Sequence, residues 1–307
     1  MVPLRLRDFV EDIDGWLYAV STYDNGDRIG CVLRYVPEED GARIHPSGRR
    51  YTKYDFEEAY AHIARHKPQY NGLLHHIPRE DVKRELKPDL EINRIAASHH
   101  RVRKLVSLFS LPEGTVGCTG SLLCDLANES SDIDMVVYGR YWFTAQALVR
   151  QGIREGKIEG LSEEMWRKVY DKRKPEISYD TFVLHEQRKW NRGQIEGTYF
   201  DILYTRSYDE IRTAPSGRGH VLGKQTIEAR VTDASLAFDN PALYEIEHES
   251  VSRVLSFTHT YSGQALAGER IEACGVLEQH GSEQWLIIGT TREARGEYIV
   301  SKTLLDS

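Results

Sequence analysis

The stretch that decides the fold reads GSLLCDLANESSDIDMVVYG and runs from Gly120 to Gly139. Its apolar, β-branched half, residues 133–138, predicts a buried strand. Because side chains alternate between the two faces of a strand, Asp132 and Asp134 share one face and the apolar residues share the other. Two carboxylates on such a strand are costly unless a cation compensates them, and Mg²⁺ is typically held by one or two carboxylates plus substrate phosphates.

A second acidic strand is predicted downstream, where the sequence reads GTYFDILY over residues 197–204. If it lies beside the first strand, Asp201 joins the earlier pair, and three carboxylates can hold two metal ions about 3.5–4 Å apart. Gly120 and Ser121 stand between a predicted strand and a short helix. Glycine permits close approach to a ligand, and the following N–H groups can bind phosphate oxygens.

These motifs resemble the signature of the DNA polymerase β-type nucleotidyltransferase superfamily. Gly120-Ser121, a spacer of ten residues, Asp132-Ile133-Asp134 and the later Asp201 carry the resemblance, which covers roughly residues 93–206. The layout of the full chain resembles, more loosely, an uncharacterised and mainly archaeal branch of predicted nucleotidyltransferases. Two positions depart from the family pattern, because Thr119 replaces a common apolar residue and Asp125 replaces a common glycine.

The resemblance implies a reaction. Asp132 and Asp134 would hold two Mg²⁺ or Mn²⁺ ions, and Asp201 would complete the site of the metal that activates an attacking hydroxyl. That hydroxyl would attack the α-phosphate of a nucleoside triphosphate such as ATP, and pyrophosphate would leave. The candidate nucleotide-binding residues are Gly120, Ser121, Ser131, Arg192 and Arg206. Arg192 and Arg206 are the basic residues nearest Asp201, and a solvated surface role remains open for both.

The chain predicts an α+β fold in three domains. Residues 1–90 form an α+β domain with a hairpin turn at Asp24–Asp27, and residues 91–214 form the polymerase-β-like nucleotidyltransferase domain. Residues 215–307 form a β-rich, OB-like barrel, with the boundary in the loop 214–219. Tyr261, Trp285 and Tyr298 of this barrel would either stack on bases or belong to its core.

Helical spacing predicts helices over residues 55–66, 92–109, 141–155 and 162–170. Strand signals are strongest over residues 16–20, 31–36, 116–120, 133–138 and 199–205, and in the tail over 226–238, 251–261, 270–278, 284–288 and 297–300.

Composition narrows the function further. The chain has 307 residues and a formal charge of −7, which excludes a general basic coat for nucleic acid. It has no apolar run long enough to span a membrane, and its acidic N-terminus does not resemble a signal peptide. Four cysteines without CxxC spacing argue against a zinc site or disulfides and predict a cytoplasmic location.

The motifs do not identify the acceptor that would receive the nucleotide. The two flanking domains favour RNA or tRNA, and a catalytically silent nucleotide- or RNA-binding protein is the main alternative. A structural adaptor whose carboxylates bind nothing is a third hypothesis.

Overall fold

The computed structural model describes residues 3–211, 219–290 and 295–307. Strands within these ranges form sheets of seven, four and six strands, accompanied by helices, which confirms the predicted α+β class. Most of the predicted boundary loop, residues 214–218, lies outside the described residues. No helix within the described ranges is long and apolar enough to cross a membrane.

The chain divides into two compact units, each made of two segments. The first unit comprises residues 1–159 and 191–214, and the second comprises residues 160–190 and 215–307. The division into three domains stays a prediction.

The first sheet is built from the N-terminal region. Its strands are β1 (Phe9–Asp12), β2 (Leu17–Val20), β3 (Arg28–Pro37), β4 (Arg43–Ile44), β5 (Arg50–Lys53), β6 (His75–Pro78) and β7 (Val82–Leu86). They are ordered β4-β5-β3-β2-β1-β7, and β6 pairs with β3. Helix α1 (Phe56–His66) begins with a capping box between Asp55 and Glu58, and its Ala59 and Ile63 belong to the core under this sheet.

The second sheet has the order β10-β11-β9-β8. Its elements are α2 (Pro88–Ser98), α3 (His100–Phe109), β8 (Val116–Cys118), α4 (Gly120–Leu123), β9 (Ile133–Tyr138), α5 (Tyr141–Arg154), β10 (Arg192–Ile195) and β11 (Thr198–Thr205). The prediction of one helix over 92–109 was wrong, since extended backbone at His99 separates α2 from α3. The break lets α2 pack against β8 and α4 while α3 packs against α5.

The second unit combines two helices with the third sheet. Its elements are α6 (Glu163–Arg173), α7 (Tyr179–Arg188), β12 (His220–Asp233), β13 (Ala242–Glu247), β14 (Val251–Ser256), β15 (Arg270–His280), β16 (Glu283–Ile288), β17 (Tyr298–Ser301) and α8 (Lys302–Leu305). The strand order is β12-β13-β14-β16-β15-β17, with a further pairing between β12 and β15. Strand β13 was not predicted, and the strand predicted over 251–261 ends at Ser256.

Buried polar contacts join α7 to the third sheet. The Nδ1 of His185 donates to the carbonyl of Thr181 at 2.7 Å, and its Nε2 accepts from the N–H of Ser301 at 2.9 Å. Burial lowers the pKa of His185 to about 4, which keeps the ring neutral in this role. The Nζ of Lys189 donates to Glu186 and, at 3.0 Å, to the carbonyl of Thr260.

We expect Gly117→Ala to destabilise the first unit by about 2 kcal/mol, the usual scale of overpacking. Gly117 lies on β8, and a Cβ there would sit 2.5 Å from the carbonyl carbon of Pro88 in α2. The matched control is Gly26→Ala, because a Cβ at Gly26 has nothing within 4 Å. Urea unfolding checks this, and equal stability of the two variants would contradict the packing argument.

Candidate active site

Two parallel strands position the predicted carboxylates. Strands β9 and β11 are direct neighbours, and their register sets Asp201 beside Asp134. Paired residues on neighbouring strands project to the same face, so the two carboxylates lie together. Asp132 stands just before β9 and is exposed, whereas Asp134 and Asp201 are partly buried. Asp134 and Asp201 therefore share one face of the second sheet.

Electrostatic repulsion links the three acids. Burial, together with the negative charges of Asp201 and Asp132, raises the pKa of Asp134 to about 6. The positive charges of Arg7 and Lys53, from the N-terminal region, act in the opposite direction. Each group is therefore close enough to Asp134 for its charge to count, and the site is a concentration of negative charge with cations nearby.

Arg192 faces Asp201 rather than an open cleft. The two residues are paired across β10 and β11, and the Nε of Arg192 lies 3.3 Å from the Oδ1 of Asp201. Arg192 is 5% exposed, so this ion pair is nearly dry. The buried Oδ1 of Asp201 nonetheless accepts no hydrogen bond from any residue in the described ranges. An unsatisfied carboxylate oxygen of this kind suits a further cation.

The Gly-Ser pair lies directly against the acidic strand. Helix α4 begins at Gly120, whose φ is +69°, and a Cβ there would lie 2.7 Å from the Oδ2 of Asp134. Ser121 follows and is 9% exposed. The Thr119 N–H donates to the Asp134 carbonyl at 2.9 Å, which fixes this turn on β9. Only glycine at position 120 combines this left-handed backbone with contact to the carboxylate.

The two departures from the family pattern have structural partners. The Thr119 hydroxyl donates to the carbonyl of Arg7 at 2.6 Å and so ties the N-terminal segment to the turn before α4. Asp125 has a φ of +55°, a region that aspartate tolerates better than most residues. Its carboxylate accepts from the Nη1 of Arg94 at 2.7 Å.

Ser131 is held by the loop that precedes the acidic strand. Its Oγ accepts from the N–H of Asn128 and from the Nη1 of Arg43, both at 2.9 Å. Arg43 also donates to the carbonyl of Leu126 at 3.3 Å. Ser131 is thus placed next to Asp132 in a loop that an N-terminal arginine fastens.

The structure does not bring Arg206 to the carboxylates. Arg206 follows the end of β11, five residues beyond Asp201, which is about 16 Å along an extended strand. It is 2% exposed, and its guanidinium lies 4.4 Å from the ring centre of Tyr23. Its Nη1 donates to the carbonyl of Ile211 at 3.3 Å, so its contacts here are structural.

Sequence reasoning missed the cations of the N-terminal region. The residues predicted to bind the triphosphate, Arg192 and Arg206, lie near Asp201 in sequence. The positive charges that act on Asp134 come instead from Arg7 and Lys53. The available signal was the basic stretch Arg49-Arg50-Tyr51-Thr52-Lys53. Its role depends on pairing between distant strands, which spacing along the chain does not reveal.

The donor set fits hard divalent cations, although it is not gathered as a finished ligand cluster. Across the described part of the chain, no three His, Cys, Asp or Glu side chains are arranged as a metal site. Arg192 engages Asp201, and Asp132 is exposed before the strand. Carboxylate oxygens are nevertheless the ligands that Mg²⁺ and Mn²⁺ prefer. Asp132, Asp134 and Asp201 are therefore the residues that would hold such ions.

We expect Asp134→Asn to stabilise the metal-free protein above pH 6. Because the native pKa of Asp134 is raised, native protein binds this proton more tightly, and wild-type stability falls as pH rises towards 6. The asparagine variant does not lose this stability. Its free energy of unfolding should exceed that of the wild type by up to about 3 kcal/mol at pH 7.5 and by little near pH 4. Unfolding at both pH values in EDTA checks this. Asp132→Asn, at an exposed position, should gain less, and a pH-independent difference for Asp134→Asn would refute the argument.

Comparison with known proteins gives one full-length relative. The uncharacterized protein MJ1086 of Methanocaldococcus jannaschii is 38% identical over 339 aligned residues, which cover 98% of this chain and 100% of the relative. No protein-family model matches the chain. No solved structure matches it either. At this identity and coverage, the chain belongs to the same family as MJ1086.

Proposed function

We propose that this protein is a metal-dependent nucleotidyltransferase, which moves a nucleoside monophosphate from a triphosphate such as ATP to a hydroxyl acceptor and releases pyrophosphate. The observation that carries the proposal is the placement of Asp134 beside Asp201 on parallel strands, with Asp132 near enough for its charge to act on Asp134 and with Gly120 against Asp134. This arrangement would serve no purpose in a purely structural turn, because repulsion between the acids costs stability.

Each residue has a distinct task in this reaction. Asp132 and Asp134 would hold both cations, and Asp201 would complete the site of the cation that activates the attacking hydroxyl. Two bound Mg²⁺ or Mn²⁺ ions would neutralise phosphate charge and lower the pKa of that hydroxyl. The backbone at Gly120 and Ser121 can approach the β- and γ-phosphates, with Ser131 at the edge of the site.

N-terminal cations supply the positive charge that a triphosphate needs. Arg7 and Lys53 act on Asp134, and Arg43 fastens the loop carrying Ser131. These contacts support an N-terminal region that forms part of the nucleotide site. Arg192 would leave Asp201 for the phosphates when cations take its place, whereas Arg206 supports the fold.

The finer parts of the fold prediction also belong to this proposal. The polymerase-β-like assignment of the second sheet rests on its motifs and on their placement. Successive pairings β12-β13-β14-β16-β15-β12 run in a circuit, which supports a small OB-like barrel. Tyr261 is fully buried in its core, and Trp285 stacks on His280 at 3.6 Å. These contacts give no support to the hypothesis that Tyr261 and Trp285 stack on nucleic-acid bases.

We propose RNA or tRNA as the acceptor. We also propose that the protein acts in the cytoplasm. A catalytically silent nucleotide- or RNA-binding protein is the second candidate. The ion pair between Arg192 and Asp201 favours it, because the third carboxylate is already paired with a cation of the chain itself.

We expect wild-type protein to release pyrophosphate from ribonucleoside triphosphates with Mg²⁺ or Mn²⁺ when total RNA is the acceptor. Asp132→Ala/Asp134→Ala should lose this by at least 10³-fold, as expected for loss of a metal site. Asp24→Ala/Asp27→Ala removes two exposed carboxylates elsewhere in the same unit and is the control. Triphosphate binding without release in any acceptor pool would select the silent binder.

We expect Gly120→Ala to abolish thermal stabilisation by Mg²⁺–ATP, because its Cβ would displace the Asp134 carboxylate. Gly114→Ala is the matched control, since Gly114 has a φ of +76° and nothing within 4 Å of its Cβ position. Both variants carry similar backbone strain, roughly 1–2 kcal/mol. Equal ligand-induced shifts in melting temperature for the two variants would show that contact with Asp134 is irrelevant.

A further inference from the structure

A cleft of about 290 Å³ opens on the N-terminal sheet, and Asp132, Asp134 and Asp201 are not among its lining residues. Its basic lining residues are Arg49, Lys83 and Arg84, opposed by Glu11. The lining therefore has a formal charge of +2 when His45 is neutral, in a chain whose total charge is −7. A local excess of this sign attracts anions against the field of the whole protein.

The cleft lies at the C-terminal end of α4, the helix that begins at Gly120. Cys124, which directly follows α4, lines the cleft, while the first residue of α4, Gly120, contacts Asp134. Helix α4 is four residues long and spans about 6 Å. A ligand in the cleft is thus separate from the triphosphate, yet close enough to belong to the same extended molecule as the acceptor hydroxyl.

Cross-strand pairing gives a second link between the cleft and the acids. Directly paired residues run across the first sheet in the order Lys53, Tyr35, Leu17, Glu11 and Arg84. Paired residues share a face, so Lys53, which acts on Asp134, and Arg84, which lines the cleft, lie on one face about 19 Å apart.

The cleft cations are held in place by the fold. The Nη2 of Arg49 donates to the carbonyl of Asp14 at 3.0 Å. Glu11 is only 12% exposed and pairs with the Nε of Arg84 at 3.1 Å and with Lys83 at 3.8 Å. Lys83 and Arg84 keep 61% and 50% of their side-chain surface exposed, so both still face solvent.

We propose that this cleft binds the phosphate backbone of a single-stranded polynucleotide, whose terminal hydroxyl is the acceptor; the acceptor role rests on the proposed function. A volume near 290 Å³ is at the small end for ligand pockets, which suits one nucleotide of a flexible strand and excludes a duplex. Spaced cations beside an aromatic lining residue such as Tyr51 are typical of sites for single strands.

The test is binding of a fluorescein-labelled 12-nucleotide RNA, followed by anisotropy across a salt series in EDTA without nucleotide. Each lost phosphate contact lowers the slope of log affinity against log salt by about 0.7 for single strands. Arg49→Ala/Lys83→Ala should therefore flatten the slope by about 1.4 and weaken binding roughly tenfold at low salt. Arg167→Ala/Lys168→Ala removes two exposed charges from α6 and should change neither.

Several results would overturn the proposal. They are no RNA binding by wild-type protein at low salt, an unchanged slope in the cleft variant, and equal competition by polyglutamate, which would point to an acidic protein partner. If the double variant unfolds, Lys83→Ala alone should still flatten the slope by about 0.7. A DNA strand of the same sequence should bind with a similar salt slope, because the proposed contacts are to phosphates, and failure of DNA to bind would contradict a phosphate-based site.

The proposed function fails by a different measurement. Mg²⁺–ATP stabilisation and pyrophosphate release are assayed without the labelled strand, whereas strand binding is assayed without metal or nucleotide. If strand binding is seen without Mg²⁺–ATP stabilisation or pyrophosphate release, the proposed function is wrong and the cleft proposal stands. If the opposite is seen, only the cleft proposal is wrong.

Discussion

Repulsion among three carboxylates is the constraint on which the rest of the first unit depends. Asp134 and Asp201 are fixed side by side by strand register, so neither can move away without breaking the sheet. Positive charges compensate part of this repulsion. Arg192 forms an ion pair with Asp201, and the charges of Arg7 and Lys53 act on Asp134. In water such acids would separate, and here the backbone hydrogen bonds of β9 and β11 hold them together.

The N-terminal region is consequently part of the site and not an appendage. Thr119 bonds to the carbonyl of Arg7, and Arg43 bonds to Ser131, so segments more than eighty residues apart meet around the acidic strand. The negative chain as a whole would repel a triphosphate or a polynucleotide. The first sheet nonetheless carries local cations, so the net charge alone does not exclude an anionic ligand.

Sequence alone predicted the strands bearing Asp134 and Asp201 because their apolar alternation is a local signal. It also predicted that Gly120 belongs to the same site, where the backbone would hold phosphate oxygens, but not that Gly120 lies against Asp134. It did not predict the engagement of Arg192 with Asp201 or the distance of Arg206, because both follow from register and from strand length. The break at His99 was missed for a similar reason, since periodicity continues through it while the two helices pack on different partners.

The two-segment composition of each unit bears on how the chain can be divided. Residues 160–190 leave the first unit and return at residue 191, so no single cut separates the two units. A polypeptide ending near residue 214 would retain α7 but lose Ser301 and Thr260, the partners of buried His185 and Lys189. Its exposed, unsatisfied surface would invite aggregation, so autonomous expression requires excision of the helical segment as well as removal of the tail.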